Sequence, residues 1–307
     1  MEHINTVLGL FLMLIVGYGA KKLNLLKEEH SKILNDIILN ITLPAFVISN
    51  LLGKELNKDM FTTPFVLYAV SSITIVLAVI IGKSLKFKPT LVYSIAMTAS
   101  FANTGFLGYP LTEALFKGNP QALPTAVIVD QFGMQLILYT TAPLLASFLI
   151  KDTDQEKFSW KTIANIFKSP VLIVSILGLI FHKYTLPDCL TQTCGHLSGA
   201  TVPLVMISIG LKIKPSETPK YVIPALIVIA LKMILQPIMM YFGTNAIIEE
   251  KFIVDIATIQ VGLSPAMVTS ILIDKYNGDT HFACAAIFIC TLLTILFVPI
   301  TATLLGI

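Results

Sequence analysis

Two short segments, well separated in the chain, set polar and conformationally permissive residues inside otherwise apolar runs. Residues 100–110 carry Asn103, Thr104, Gly105, Gly108 and Pro110; residues 260–265 carry Gln260, Gly262, Ser264 and Pro265. Glycine leaves the backbone free to unwind, and proline removes one N–H and clashes with the preceding turn. A helix that breaks and restarts presents free N–H groups and about half a positive charge at its new start. Two such starts facing one pocket would bind an anion without any charged side chain. Pro110 and Pro265 sit where each half-helix would restart, a position that suits proline. Asn103, Thr104, Gln260 and Ser264 would add side-chain donors and acceptors. The competing reading is a pair of proline kinks packed against their neighbours.

Two ionisable residues fall deep inside apolar runs. Lys232 lies near the middle of residues 221–244, with Gln236 one helical turn on and Pro237 beside it. A lysine at the centre of a membrane helix costs about 2.5–3.5 kcal/mol on insertion scales, so it should face a partner or a cavity. Asp130 lies about as deep in residues 121–150, close to Gln131 and Gln135. These groups could form a proton or substrate relay, or a structural ion pair between helices.

The elements that must position them are membrane helices. The chain has 307 residues, 55% of them hydrophobic and 13% charged, against about 25% charged in soluble domains. Apolar runs near span length recur along it. About ten are expected: 4–22, 33–52, 62–82, 90–116 (broken), 121–150, 169–185, 196–212, 221–244, 251–274 (broken) and 281–305. Residues 151–168, with Trp160 among lysines, read as a cytoplasmic connector. The first run is not preceded by a basic segment, which favours a true span over a secretory leader. All 21 basic residues are lysine. Fifteen fall in one set of loops and five in the other, with Lys232 inside a span. The positive-inside rule then puts both termini on the extracytoplasmic side of the cell membrane. Cys189 and Cys194 flank an outward loop where a disulfide is permitted, and two free thiols fit as well. The five histidines show no metal-ligand spacing.

The second half echoes the first. Residues 41–49 align with 200–208, Gly105 with Gly262, Pro110 with Pro265 and Pro143 with Pro299, at a nearly constant offset. Five spans per copy is an odd number, so the second copy would insert upside down and cross its broken helix over the first near midplane. The expected fold is an all-α polytopic membrane protein of two inverted five-helix repeats, 1–150 and 169–307, joined by 151–168.

With these residues in view, the chain resembles the auxin efflux carrier family, particularly its short bacterial malate-permease-like members. The carrying segments are residues 39–45, 103–110, 231–237 and 260–265. The resemblance implies an architecture similar to bile-acid symporters and sodium/proton antiporters. Spans 1, 2, 6 and 7 would form a scaffold, often at a homodimer interface; spans 3–5 and 8–10 would form a moving transport core. The long cytoplasmic loop of plant members is missing here, which puts plant-style regulation in doubt.

The leading expectation is secondary active transport of a small organic anion, such as malate or an auxin-like acid, by elevator-like alternating access. Asn103, Thr104, Gly105, Gly108, Pro110, Gln260, Gly262, Ser264 and Pro265 would bind substrate, and Lys232, Asp130, Gln131 and Gln236 would handle charge or coupling. No cofactor or nucleic acid is implied; the partners are the substrate, the bilayer and a second copy. The alternative is a sodium- or proton-coupled cation antiporter, although antiporters usually pair carboxylates and Asp130 stands nearly alone. An intramembrane enzyme would need a nucleophile and base that no segment offers.

Overall fold

A chain this apolar can satisfy its backbone inside hydrocarbon only by helical pairing or by closing a barrel. The computed structural model describes residues 2–150, 169–212 and 221–307, and among them the chain takes the helical route. The elements in order are α1 (Glu2–Lys22), α2 (His30–Leu51), α3 (Lys58–Ser84), α4 (Pro89–Ser100), a π-helical turn (Thr104–Gly108) leading into α5 (Tyr109–Leu115), and α6 (Ala122–Leu149). Then follow α7 (Pro170–Ile180), α8 (Asp188–Lys212), α9 (Val222–Asn245), α10 (Lys251–Val261), α11 (Met267–Lys275) and α12 (Thr280–Leu305). The connector at 151–168 lies outside the described residues.

The expected ten spans are corrected to six. Among the described residues, only α2, α3, α6, α8, α9 and α12 are long and apolar enough to cross a membrane. The two broken runs split into α4 and α5, of 12 and 7 residues, and α10 and α11, of 11 and 9. Hydropathy sums across a break and so counts a span where neither half reaches across. α7 has only 11 residues, and α1 has side chains outside the described set. The two inverted five-helix repeats are corrected with the count. Of these six helices, three precede residue 150 and three follow residue 169, and their order shows no clear inverted duplication.

Three of the helical segments contain an unexpected feature with a sequence cause. π-helical turns cover Ile38–Thr42, Thr104–Gly108 and Ile229–Leu235, and each ends two residues before a proline: Pro44, Pro110 and Pro237. Proline donates no hydrogen bond and crowds the carbonyl four residues back, and a widened turn relieves both. A fourth π segment, Ile128–Gln135, has no proline within two residues of its end; Pro143 follows only eight residues on. Asp130 and Lys232 both lie in such widened segments.

α1, α2, α7 and α8 pack mainly on one another, while α3, α4, α6, α9, α10 and α12 surround the two breaks. Contacts of α1 with α5 and α12, and of α2 with α6, join the groups. Phe46 of α2 stacks on Tyr109 of α5 with ring centroids 5.5 Å apart. α1 and α8 meet backbone to backbone: a Cβ at Gly210 would lie 2.2 Å from the Leu14 carbonyl oxygen, and one at Gly17 would lie 2.4 Å from that of Ile207. Neither neighbour is a side chain that can swing away. Gly210→Ala is therefore expected to destabilise the protein by about 1–3 kcal/mol. A thermal melt in detergent checks this, and an unchanged midpoint would show that the helices separate at no cost. Cys189 and Cys194 are free thiols on α8.

Candidate functional site

The two breaks meet. Asn103 N donates to Ser264 O at 2.8 Å, and Ala266 N donates to Phe101 O at 2.8 Å, closing an antiparallel bridge between Ala102 and Pro265. Two segments that would each strand polar backbone in hydrocarbon thus satisfy one another. Pro265 lies within this bridge, two residues ahead of α11, instead of opening the half-helix. Pro110 is the seventh residue of the helical path that starts at Thr104, and the widened turn ahead of it accommodates its missing N–H. The first break also lies earlier than the glycines suggest. Phe101 is extended, whereas residues 104–108 are already helical. The last carbonyl of α4, on Ser100, accepts from Gln236 Nε2 at 3.1 Å. A side chain from α9 therefore takes the acceptor that a further helical turn would have used.

One flank of the crossing is organised by Asp130, which has no exposed surface. Its Oδ1 accepts from Thr104 Oγ1 at 2.5 Å and from Gln135 Nε2 at 3.4 Å. Its Oδ2 accepts from Tyr109 OH at 2.6 Å and from Gln131 Nε2 at 2.7 Å. An ionised carboxylate has about four acceptor positions, and all four are filled. Gly105 belongs to the same cluster, since a Cβ there would come within 3.2 Å of Asp130 Oδ2.

Beside this cluster is a cavity of about 520 Å³. Three helix starts reach its wall: Thr104 and Gly105 at the turn into α5, Ser169 and Pro170 at α7, and Ala266 and Met267 at α11. The first N–H groups of a helix lack intrahelical acceptors, and each start carries partial positive charge. Asn40, Asn103, Gln131, Gln135 and Tyr139 add polar groups, and Lys275 adds a cation. Asp130 is the one carboxylate among the described residues of the wall.

Lys232 occupies a different place. Also without exposed surface, its Nζ donates to Gln236 Oε1 at 2.5 Å. Gln236 Nε2 donates onward to Thr74 Oγ1 and Ser100 O, both at 3.1 Å. Lys232 Nζ is thus tied through Gln236 to the C-terminal end of α4. Lys232 and Asp130 have separate partners, and no ion pair joins them. Neither Lys232 nor Gln236 lines the cavity.

The structure therefore brings Asn103, Thr104, Gly105, Asp130 and Gln131 together around the cavity. Gly108, Pro110, Gln260, Gly262, Ser264 and Pro265 lie in or behind the crossing and are not on its wall. Gln260 packs against Gly108 and donates to Thr112 Oγ1 at 3.3 Å; its Oε1 and Ser264 Oγ are buried without partners. Tyr109, Tyr139, Asn40, Ser169 and Lys275 escaped the sequence reading. Tyr109 stands beside Pro110 in a motif already singled out, and Lys275 counts there only as a loop charge. Among the described residues no three His, Cys, Asp or Glu side chains cluster to hold a metal.

Comparison with known proteins agrees with this membrane architecture. A family model described as membrane transport protein matches residues 3–302. An uncharacterized transporter of Methanothermobacter thermautotrophicus is 25% identical, with the alignment covering 99% of both chains. Another, from Methanocaldococcus jannaschii, is 27% identical over 98% of both.

Proposed function

Because the chain belongs to the membrane transport protein family, we propose that this transporter moves a small organic anion by secondary active, alternating access. The observation that carries the reading is the convergence of three helix starts on one cavity, with Lys275 on the same wall. Such starts favour a carboxylate without a dedicated counter-charge. The apolar wall residues Leu39, Leu43, Phe106 and Leu172 suit the carbon skeleton of an organic acid. In the moving-body part of the proposal, α1, α2, α7 and α8 stay fixed as a scaffold, through which two copies pair. The elements around the crossing carry the cavity past them, and the tight packing within each group supports that division. The membrane is the cell membrane, with the lysine-rich loops in the cytoplasm.

The second reading, cation antiport, has Asp130 in its favour. However, the carboxylate already accepts four hydrogen bonds from its own protein and offers a cation no open oxygen. Counterflow in proteoliposomes separates the two readings. Liposomes preloaded with malate or indole-3-acetate should accumulate the labelled acid well above protein-free controls. Sodium- or potassium-driven proton movement without carboxylate flux would favour the antiporter instead.

A further inference from the structure

We propose that Asp130 and Thr104 form a proton-coupling pair, so that each anion entering the cavity brings one proton onto Asp130. This inference rests on the anion-transport reading and adds the coupling ion and its atoms. An anion held by the helix starts would share a wall with the Asp130 carboxylate, and two negative charges in one enclosed site oppose each other. Neutralising Asp130 removes that opposition.

The hydrogen-bond geometry indicates where the proton goes. Ionised Asp130 is satisfied by four donors, so a protonated carboxyl must reverse one of those bonds in order to donate. Tyr109 is poorly placed for the reversal. Its oxygen already accepts from Gln131 Nε2 at 3.4 Å, and Tyr109 does not line the cavity, so a displaced phenolic hydrogen would turn into packed protein. Gln131 and Gln135 approach with amide N–H groups, which cannot accept. Thr104 can. Its Oγ1 lies 2.5 Å from Oδ1, a hydroxyl donates or accepts by rotation, and Thr104 lines the cavity at a helix start.

A solvent proton therefore adds to Oδ1 and is donated to Thr104 Oγ1. The Thr104 hydrogen then turns from Asp130 into the cavity, where it donates to the bound anion. No covalent bond to carbon changes, and one proton accompanies one anion. Loss of the anion reverses the steps.

The charged and titratable neighbours leave this pair in control. Tyr109 donates to Asp130, and Tyr139 of α6 lines the same cavity. Tyr68 of α3 donates instead to the Phe132 carbonyl. Asp255 of α10 is engaged by Lys251 at 2.6 Å, and Lys58 and Asp59 at the start of α3 are absent from the wall. Lys275 also lines the cavity, and its side chain favours the anion at either state of Asp130.

The test is calorimetric titration of the purified protein with malate and with indole-3-acetate, in buffers of different ionisation enthalpy, over roughly pH 5 to 9. Wild type should take up as many as one proton per anion bound. Its Kd should tighten by up to about tenfold per unit fall in pH while Asp130 titrates. Asp130→Asn should show no linked proton uptake and a Kd that does not vary with pH. Thr104→Val should bind more weakly and lose the coupling, while Thr104→Ser keeps it; this pair decides the matter if Asp130→Asn does not fold. Anion binding by wild type without proton uptake overturns the coupling alone, as does uptake that persists in Asp130→Asn or Thr104→Val. Failure of wild type to bind either acid overturns the anion reading and the coupling with it.

Discussion

Gln236→Leu is expected to cost about 1–3 kcal/mol of stability, and adding Lys232→Met to the same chain should return most of it. Gln236 Oε1 accepts from Lys232 Nζ at 2.5 Å, and both residues have no exposed surface. Removing the acceptor leaves the Lys232 amine buried in packed protein without its partner. Removing the lysine as well leaves two apolar side chains of similar length and no buried amine to satisfy. The recovery will be incomplete, because Gln236 Nε2 also serves Thr74 and the Ser100 carbonyl. Thermal melts of the two single variants and the double variant measure the coupling. A Gln236→Leu midpoint close to wild type, or a double variant no more stable than the single, would sink the account. The same geometry makes a second pairing additive: Lys232→Gln and Asp130→Asn share no partner, so their effects should sum within about 0.5 kcal/mol. Mutual rescue, the signature of an ion pair between them, is not expected.

That contrast shows what the residues disclose and what they leave hidden. Both breaks are legible, because Gly105, Pro110, Gly262 and Pro265 stand where an apolar run should continue. Depth is legible too: Asp130 and Lys232 are each far from the ends of their segments, and both are fully buried. The partners are not legible. Ser100 ends α4 because Gln236, 136 residues away, captures its carbonyl, and no local pattern around Ser100 announces that. The span count fails for a related reason. Hydropathy is a sum over a window and cannot see that residues 90–116 fold as two short helices joined by an extended link. Three of the four widened turns are legible in hindsight, since Pro44, Pro110 and Pro237 each stand two residues past the end of one. Periodicity arguments that assume an even helix overlook them. Lys275 illustrates the remaining gap, because a charge counted for topology also borders the cavity.

Asn103→Asp is expected to fold as well as wild type and yet bind anion about a hundredfold or more weakly, a larger loss than Asn103→Ala should produce. The Asn103 backbone is fully committed: its N–H donates to Ser264 O, and its carbonyl accepts from the N–H groups of Leu107 and Gly108 at 3.1 Å. Its side chain is not committed. The amide makes no hydrogen bond to the described residues, although the position precedes a helix and Asn103 lines the cavity. Alanine should therefore cost binding about one hydrogen bond to the ligand, roughly tenfold, with little change in melting temperature. Aspartate at the same place has another consequence. A carboxylate just before a helix start is favoured by the free N–H groups and by the dipole, so the folded state gains. Those are the groups assigned to the substrate, and the new side chain would occupy them from within while adding a like charge. Stability held or raised together with lost anion binding distinguishes occupancy of the site from damage to it. Calorimetric titration beside a thermal melt reads both quantities on one preparation. Asn103→Asp with wild-type affinity would remove the turn into α5 from the anion site.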